Sequence, residues 1–435
     1  MDLFLIVLAL LLAAKVACEC LLSALNRRHV RANATAVPAA FADVIDADTY
    51  RKSVEYTLAR SRFGTLQDCF SGVFLGLILF SGWLPGFVGV LPWLYDALSG
   101  LFSANPYGIW AQAVVLFAVG MLLSLPGLPF EYYSQFRLEA RFGFNRMTLQ
   151  LWLSDKLKGT AIAALIGIPL LALLLWFFNL LPQTWWLWGF LALFTFQLLM
   201  LVLYPRLILP LFNKLSPLPE GELRNRLLEL ANRTGFNAQT IQVIDGSKRS
   251  THSNAFFTGF GRFRRIVLYD VLIEQLEQRE LEAVLAHEIG HYKLGHIPKM
   301  LVVGAGFSLL GFAILGWLAA QPWFIGAFGF DAQIAFLWVG GQPPSVAPAL
   351  LLFSLLSGIV TFWFGPLGHF WSRKHEYEAD AFARQAMQSP APLITSLRKL
   401  HTKNLGNLTP HPAFSAFYYS HPTLVEREAA LNGPA

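Results

Sequence analysis

The residues of this sequence whose types and spacing could do chemistry are His287-Glu288-Ile289-Gly290-His291. On a helix, two histidines four apart project from one face, so a ring nitrogen from each can reach a single cation. The glutamate beside the first lies next to whatever that cation holds. Zinc suits such a site because it lowers the pKa of water toward about 7, where a carboxylate can take the proton and pass it to a leaving amine. With ten histidines and sixteen glutamates in 435 residues, random placement would produce roughly 0.01 copies of the pattern. An ordinary helix with solvated His and Glu is the plainer alternative, and the spacing argues against it.

A catalytic zinc takes three protein ligands and keeps one position open. A third histidine six residues beyond the second would need Gly at 294 and His at 297, but the residues there are Leu294 and Ile297. His296 lies about 140° around a continuous helix from His291 and reads as a helix-end or surface histidine. The charges of Arg279, Glu280, Glu282, Lys293 and Lys299 surround the motif, so a metal deep among lipid-facing residues is disfavoured. The other source of a ligand is Ser372-Arg373-Lys374-His375-Glu376-Tyr377-Glu378-Ala379-Asp380. Here Glu376 and Asp380 are four apart on one face, and Glu378 points away from it. One carboxylate can bind the metal while the other fixes the tautomer of a ligand histidine.

What positions these residues is a membrane scaffold. Hydrophobic residues make up 55% of the chain and charged ones only 14%, which excludes an ordinary soluble fold. Apolar segments long enough to cross the bilayer run near 2–24, 66–86, 108–129, 159–181, 185–205, 300–320 and 348–370. The first reads as an anchor, because Asp2 stands where a signal peptide would be basic. Lys15 and Glu19, four apart on one face of it, either face a bundle interior or reach for the headgroups. Trp83, Trp185, Trp186, Trp188, Trp363 and Trp371 stand where apolar runs meet polar ones, as an interfacial belt requires. Cys18, Cys20 and Cys69 show no metal-binding spacing, so any metal is held by His and carboxylates.

Charge sets the orientation. Arg27, Arg28, Arg31, Arg51, Lys52, Arg60 and Arg62 follow the first span, and Arg137, Arg141, Arg146, Lys156 and Lys158 follow the third. The segments after spans two, four and six carry no Lys or Arg. By the positive-inside rule the N-terminus is outside and the basic loops are cytoplasmic, as are both metal-binding segments. The chain divides into 1–205 with five spans, a cytoplasmic insert 206–299, 300–371 with two spans, and a cytoplasmic part 372–435. In the insert, Glu220 to Gly235 predicts an amphipathic helix, and Ile241–Asp245 and Ile266–Tyr269 predict strands. Ser253–Gly259 predicts an edge strand, and a helical pattern runs from Ile273 to His296. The expected fold is an all-α polytopic membrane protein with seven transmembrane helices and a cytoplasmic α+β zinc metallopeptidase domain.

The zinc motif followed about 85 residues later by Glu-x-x-Ala-Asp, across two spans, resembles the integral-membrane CAAX prenyl proteases of the gluzincin clan. Tyr132-Tyr133-Ser134, Phe142-Gly143-Phe144-Asn145, Ser253-Asn254-Ala255, Ile266-Val267-Leu268-Tyr269-Asp270, Ser372-Arg373 and His421-Pro422-Thr423-Leu424 with Glu426-Arg427 extend the resemblance, in order, over nearly the whole length. It implies that Glu376 is the third zinc ligand, with one Zn2+ per chain, and that Asp380 stands behind a ligand histidine. It implies that Ser253, Asn254 and Ala255 bind an extended peptide by strand addition. It also implies that His421 donates to the oxyanion, that Arg427 orients the substrate region, and that the seven helices form an α-barrel around a water-filled chamber. The expected substrates are protein C-terminal tails of CAAX type, prenylated or not; membrane-protein quality control is the alternative. A seven-span transporter with a non-catalytic metal site would leave Glu288 unexplained. Nothing in the sequence calls for nucleic acid. The tail Ala429–Ala435 shows no retrieval signal, which favours a bacterial inner membrane, with the endoplasmic reticulum membrane expected for a eukaryotic source.

Overall fold

The computed structural model describes residues 3–85, 108–236, 240–252, 254–258, 265–330 and 345–433. Seven of its helices are long and apolar enough to cross a membrane, one for each predicted apolar stretch. The first two are α1 (Leu3–Ala32) and α2 (Ala47–Phe80), of 30 and 34 residues. At 1.5 Å per residue they reach about 45 and 51 Å, well beyond the ~30 Å of hydrocarbon. Both therefore continue past the bilayer as polar helix. The Asp46 carboxylate caps α2 by accepting from the Thr49 N–H at 2.8 Å. The next spans are α3 (Ile109–Glu139), α4 (Leu149–Leu180) and α5 (Trp185–Phe212). Two of these spans contain a π-helical turn, at Ser134–Glu139 and at Tyr204–Ile208. In the second, Pro205 has no N–H to give the regular ladder.

After α5 the chain leaves lipid and builds a mixed sheet. Strands β1 (Leu215–Pro217), β2 (Thr240–Ile244), β3 (Ala255–Thr258) and β4 (Arg265–Tyr269) lie in the order β1-β2-β4-β3. The β1–β2 and β3–β4 pairs are antiparallel and the β2–β4 pair is parallel. Helix α6 (Glu222–Arg233) separates β1 from β2. The predicted edge strand is thus β3, which pairs with β4 alone among the described residues. Ser253 and Gly259 lie outside the described residues.

The helical pattern from Ile273 to His296 is not one helix but three elements. They are α7 (Asp270–Gln275), α8 (Gln278–Lys293) and the first residue of the sixth span, α9 (His296–Ala319). The first break comes from a capping box in which the Glu277 N–H donates to the Glu280 carboxylate at 2.8 Å. Leu276 stays buried through the break, so the apolar periodicity does not register it. The second break is Gly295 at φ 68°, a left-handed conformation that favours glycine.

A short helix α10 (Pro322–Gly326) precedes the last span, α11 (Ala347–Met387), which runs on well past the membrane. Helices α12 (Ala391–Lys403), α13 (Pro412–Tyr418) and α14 (Leu424–Asn432) finish the chain. The largest apolar core on the polar side of the molecule runs from Leu227 and Leu230 of α6 through Ile241, Ile266, Leu281, Leu285 and Ile289 to Ala383, Leu397 and Leu424. Val30, Phe41, Ile45, Tyr50 and Val54, from the ends of α1 and α2 and the turn between them, are buried in the same core. This core therefore draws on more chain than 206–299 and 372–435.

Lys15 and Glu19 form an ion pair at 2.7 Å, and the Lys15 Nζ lies 5.2 Å from the ring centre of Phe362 on α11. The pair turns toward a neighbouring helix and not toward headgroups. Trp185 departs from the expected aromatic belt: it is 2% exposed and packs edge-on to Phe178, whereas Trp83 and Trp188 are exposed.

Candidate metal centre

Helix α8 can carry the His pair close to α11 because of the residue between them. A Cβ on Gly290 would stand 3.1 Å from the Ala379 Cα and from the Phe382 Cβ. Only glycine lets the two helices meet at this spacing. The contact brings Glu376, one turn before Ala379, over the face that carries His287 and His291. The Nε2 atoms of the two histidines are 3.2 Å apart. Glu376 Oε2 lies 3.4 Å from the His287 Nε2, and Glu376 Oε1 lies 3.3 Å from the His291 Nε2. Three ligand atoms within 4.8 Å of one another can hold a metal ion.

Behind the trio the remaining polar atoms are accounted for. The His287 Nδ1 donates to Asp380 Oδ1 at 2.8 Å, which leaves Nε2 as the lone-pair nitrogen turned to the trio. Arg427 grips Asp380 with two bonds, Nε to Oδ2 at 2.8 Å and Nη2 to Oδ1 at 2.5 Å. Burial works against a charge on His287, yet the carboxylates of Asp380 and Glu376 outweigh it and raise its pKa to about 9. Glu376 Oε2 is buried without a hydrogen bond, since 3.4 Å to His287 is an ion-pair contact and not hydrogen-bond geometry. An orphaned buried carboxylate oxygen beside a histidine that attracts positive charge is the arrangement a divalent cation satisfies. The donor set of two imidazoles and one carboxylate suits zinc.

On the open side lies a cavity of about 150 Å³ lined by Asn254, Ala255, His287, Glu288, Glu376, His421 and Arg427. Burial raises the pKa of the Glu288 carboxyl above its usual value; His287 and His291 pull it back, and Glu376 pushes it further up. Leu272, Val284, Leu393, Leu397 and Leu400 complete the wall.

Both halves of the chain match known proteins. Residues 26–214 match the family described as CAAX prenyl protease N-terminal, five membrane helices. Residues 217–435 match peptidase family M48. The chain belongs to family M48. The CAAX prenyl protease 1 of Saccharomyces cerevisiae is 35% identical to this M48 peptidase over 93% of the chain and 90% of its own length. The CAAX prenyl protease 1 homolog of Dictyostelium discoideum is 36% identical over 91% and 89%, and that of Homo sapiens 31% identical over 93% and 90%. The crystal structure of S. mikatae Ste24p superposes with a TM-score of 0.88, at 32% identity and 99% coverage of both chains. The protein is a multi-pass membrane metallopeptidase, and the transporter reading has no support.

The fold of this M48 peptidase brings most of the sequence-predicted site residues to one cavity. His291 stands just behind it as part of the trio, and Asp380 stands behind His287. His421 Nε2 lies 3.4 Å from Glu376 Oε1, and its side chain lines the cavity while 62% exposed. Arg427 is buried, with Asp380 as its main partner. The Asn254 carboxamide oxygen accepts from the Ala255 N–H at 2.8 Å, so its amide nitrogen is the group left to reach outward. His296 is a helix-end residue, the first of α9, but it is not on the surface: it is 1% exposed, and the left-handed turn at Gly295 brings it to His291. Sequence reasoning also missed the leucine wall, whose residues are ordinary helix-face positions until the helices are assembled.

Proposed function

We propose that this M48 peptidase is a zinc-dependent endopeptidase that hydrolyses peptide bonds near the C-terminus of CAAX-type proteins, prenylated ones included. The observation that carries the reading is the convergence of His287, His291 and Glu376, with His287 and Glu376 lining one cavity beside Glu288. These three residues would hold one Zn2+, which when bound acidifies water and polarises a carbonyl. Glu288 is the general base: its carboxylate accepts a proton on the substrate side and returns it to the leaving amine nitrogen. Asp380 acts through His287, holding the proton on Nδ1, and Arg427 holds Asp380.

The open edge of β3 supports a peptide docked as an added strand beside Asn254 and Ala255, with Ser253 preceding them in the sequence. His421 is suited to donate from Nε2 to the oxyanion as charge develops there. A chamber fits the sparse packing of the spans: in six of the seven, only 6–22% of the most apolar stretch is buried against the rest of the protein. The basic loops support a cytoplasmic active site, in the inner membrane of a bacterium or the endoplasmic reticulum membrane of a eukaryote. The names of the relatives favour CAAX substrates over a quality-control role.

The test is cleavage of a prenylated CAAX peptide beside its non-prenylated twin by the zinc-loaded protein, with products identified by mass. The expected result is one cut near the C-terminus, abolished by chelation, with the prenylated peptide cleaved at the higher kcat/KM because binding energy from a non-reacting part of the substrate can serve the reacting centre. No cut in either peptide would sink the CAAX reading; equal kcat/KM values would remove the prenyl group from the substrate definition.

A further inference from the structure

We propose that His296 and Glu378 are positioning residues for His291, linked to it in a hydrogen-bonded chain that does for the second histidine what Asp380 does for the first. The proposal rests on the metallopeptidase reading above. His291 turns Nε2 toward His287 and Glu376, at 3.2 and 3.3 Å. A ligand nitrogen must keep its lone pair, so the proton of neutral His291 is on Nδ1. That Nδ1 lies 2.9 Å from the His296 Nδ1. Two nitrogens at hydrogen-bond distance share one proton, so His296 accepts at Nδ1 and carries its own proton on Nε2. The His296 Nε2 lies 2.9 Å from Glu378 Oε2, to which it donates. One choice at the metal thus sets every tautomer in the chain, and no nitrogen is left over.

The surroundings hold this chain still. His296 is 1% exposed, and the ring of His375 stacks on it at 4.0 Å and 9°. Glu378 is on the flank of α11 turned away from Glu376, so the two carboxylates reach His291 by different routes. His296, His375 and Glu378 also lie near enough to one another to suggest a second cation site. Two observations favour the chain instead. Imidazole lone pairs lie in the ring planes, and parallel stacked rings do not aim them at a common point. Lys374 Nζ, 3.9 Å from Glu378 Oε1, already supplies that carboxylate with positive charge.

Partners behind a ligand histidine typically change metal affinity about 10–100-fold. The experiment measures zinc affinity of the full-length protein by competition with a chelator, together with zinc stoichiometry and the thermal stability of the metal-free form. His296→Leu should weaken zinc about 10–100-fold. His296→Asn, whose carboxamide oxygen can accept from the His291 Nδ1–H, should recover most of that loss. His375→Phe keeps the stack and should leave both affinity and one-ion stoichiometry unchanged. Unchanged affinity in His296→Leu, or no recovery in His296→Asn, would overturn the chain. So would a second bound ion lost in His375→Phe, or a fall in metal-free stability large enough to explain the weaker binding. A wild-type protein that binds no metal would instead bring down the metallopeptidase reading itself.

Discussion

Three glutamates near the His pair share a chemistry and differ in what surrounds them. Glu288 faces the cavity and has no hydrogen bond to a described residue, Glu376 faces two imidazoles, and Glu378 faces His296. Glu288→Gln should therefore keep zinc and lower turnover at least about 10²–10⁴-fold, since it removes a proton acceptor and not a ligand. Wild-type hydrolysis by this variant would end the general-base assignment. Glu376→Ala should lose zinc at chelator concentrations that Glu378→Ala withstands; the reverse order, measured by metal analysis, would exchange their roles. His421 lines the cavity, where an oxyanion donor matters only as charge develops. His421→Ala should cost about 10²–10³ in kcat with little change in KM. A rise in KM alone would make it a substrate-positioning residue.

Between residue and molecule stands the pair α8 and α11, whose contact brings Glu376 to the His pair. The start of α8 is tied down by its capping box and by Lys399 of α12, which bridges to Glu280 at 2.8 Å and Glu277 at 3.1 Å. Its middle is tied by the close approach at Gly290. Gly290→Ala must push the helices apart by a few tenths of an ångström, at about 1–3 kcal/mol of stability. Because Glu376 moves with α11, zinc affinity should fall as well. Gly304→Ala in α9, where a Cβ meets nothing within 4 Å, is the control and should leave both unchanged. Equal behaviour of the two variants in melting and metal titration would show that the helix spacing does not set the site.

At the scale of the whole molecule the catalytic unit is carried on spans that extend past the lipid, with the ends of α1 and α2 built into its core. A detached 206–435 segment would lose Val30, Phe41, Ile45, Tyr50 and Val54 from that core. Orientation is a separate property, set by loop charge. Cysteines introduced at Gln183, between α4 and α5, should react with impermeant reagents from outside, and cysteines at Gly221 or Thr402 should not. The opposite labelling pattern would move the metal centre to the other side of the membrane.

What the sequence determined alone was whatever depends on local spacing. Seven apolar stretches, the His pair with its glutamate, the Glu376–Asp380 face and the edge strand are all periodicities of 3.6, 2 or about 20 residues, set by backbone geometry and bilayer thickness. The capping break at Glu277 escaped because Leu276 kept the apolar rhythm across it. The environment of His296 escaped for a different reason. A continuous helix would turn it about 140° away from His291; the left-handed turn at Gly295 reverses that, and the stacking partner comes from a helix 79 positions later in the chain. Which carboxylate meets which histidine was likewise a tertiary decision, because spacing specifies a shared face and only the packing of α8 on α11 specifies what that face meets.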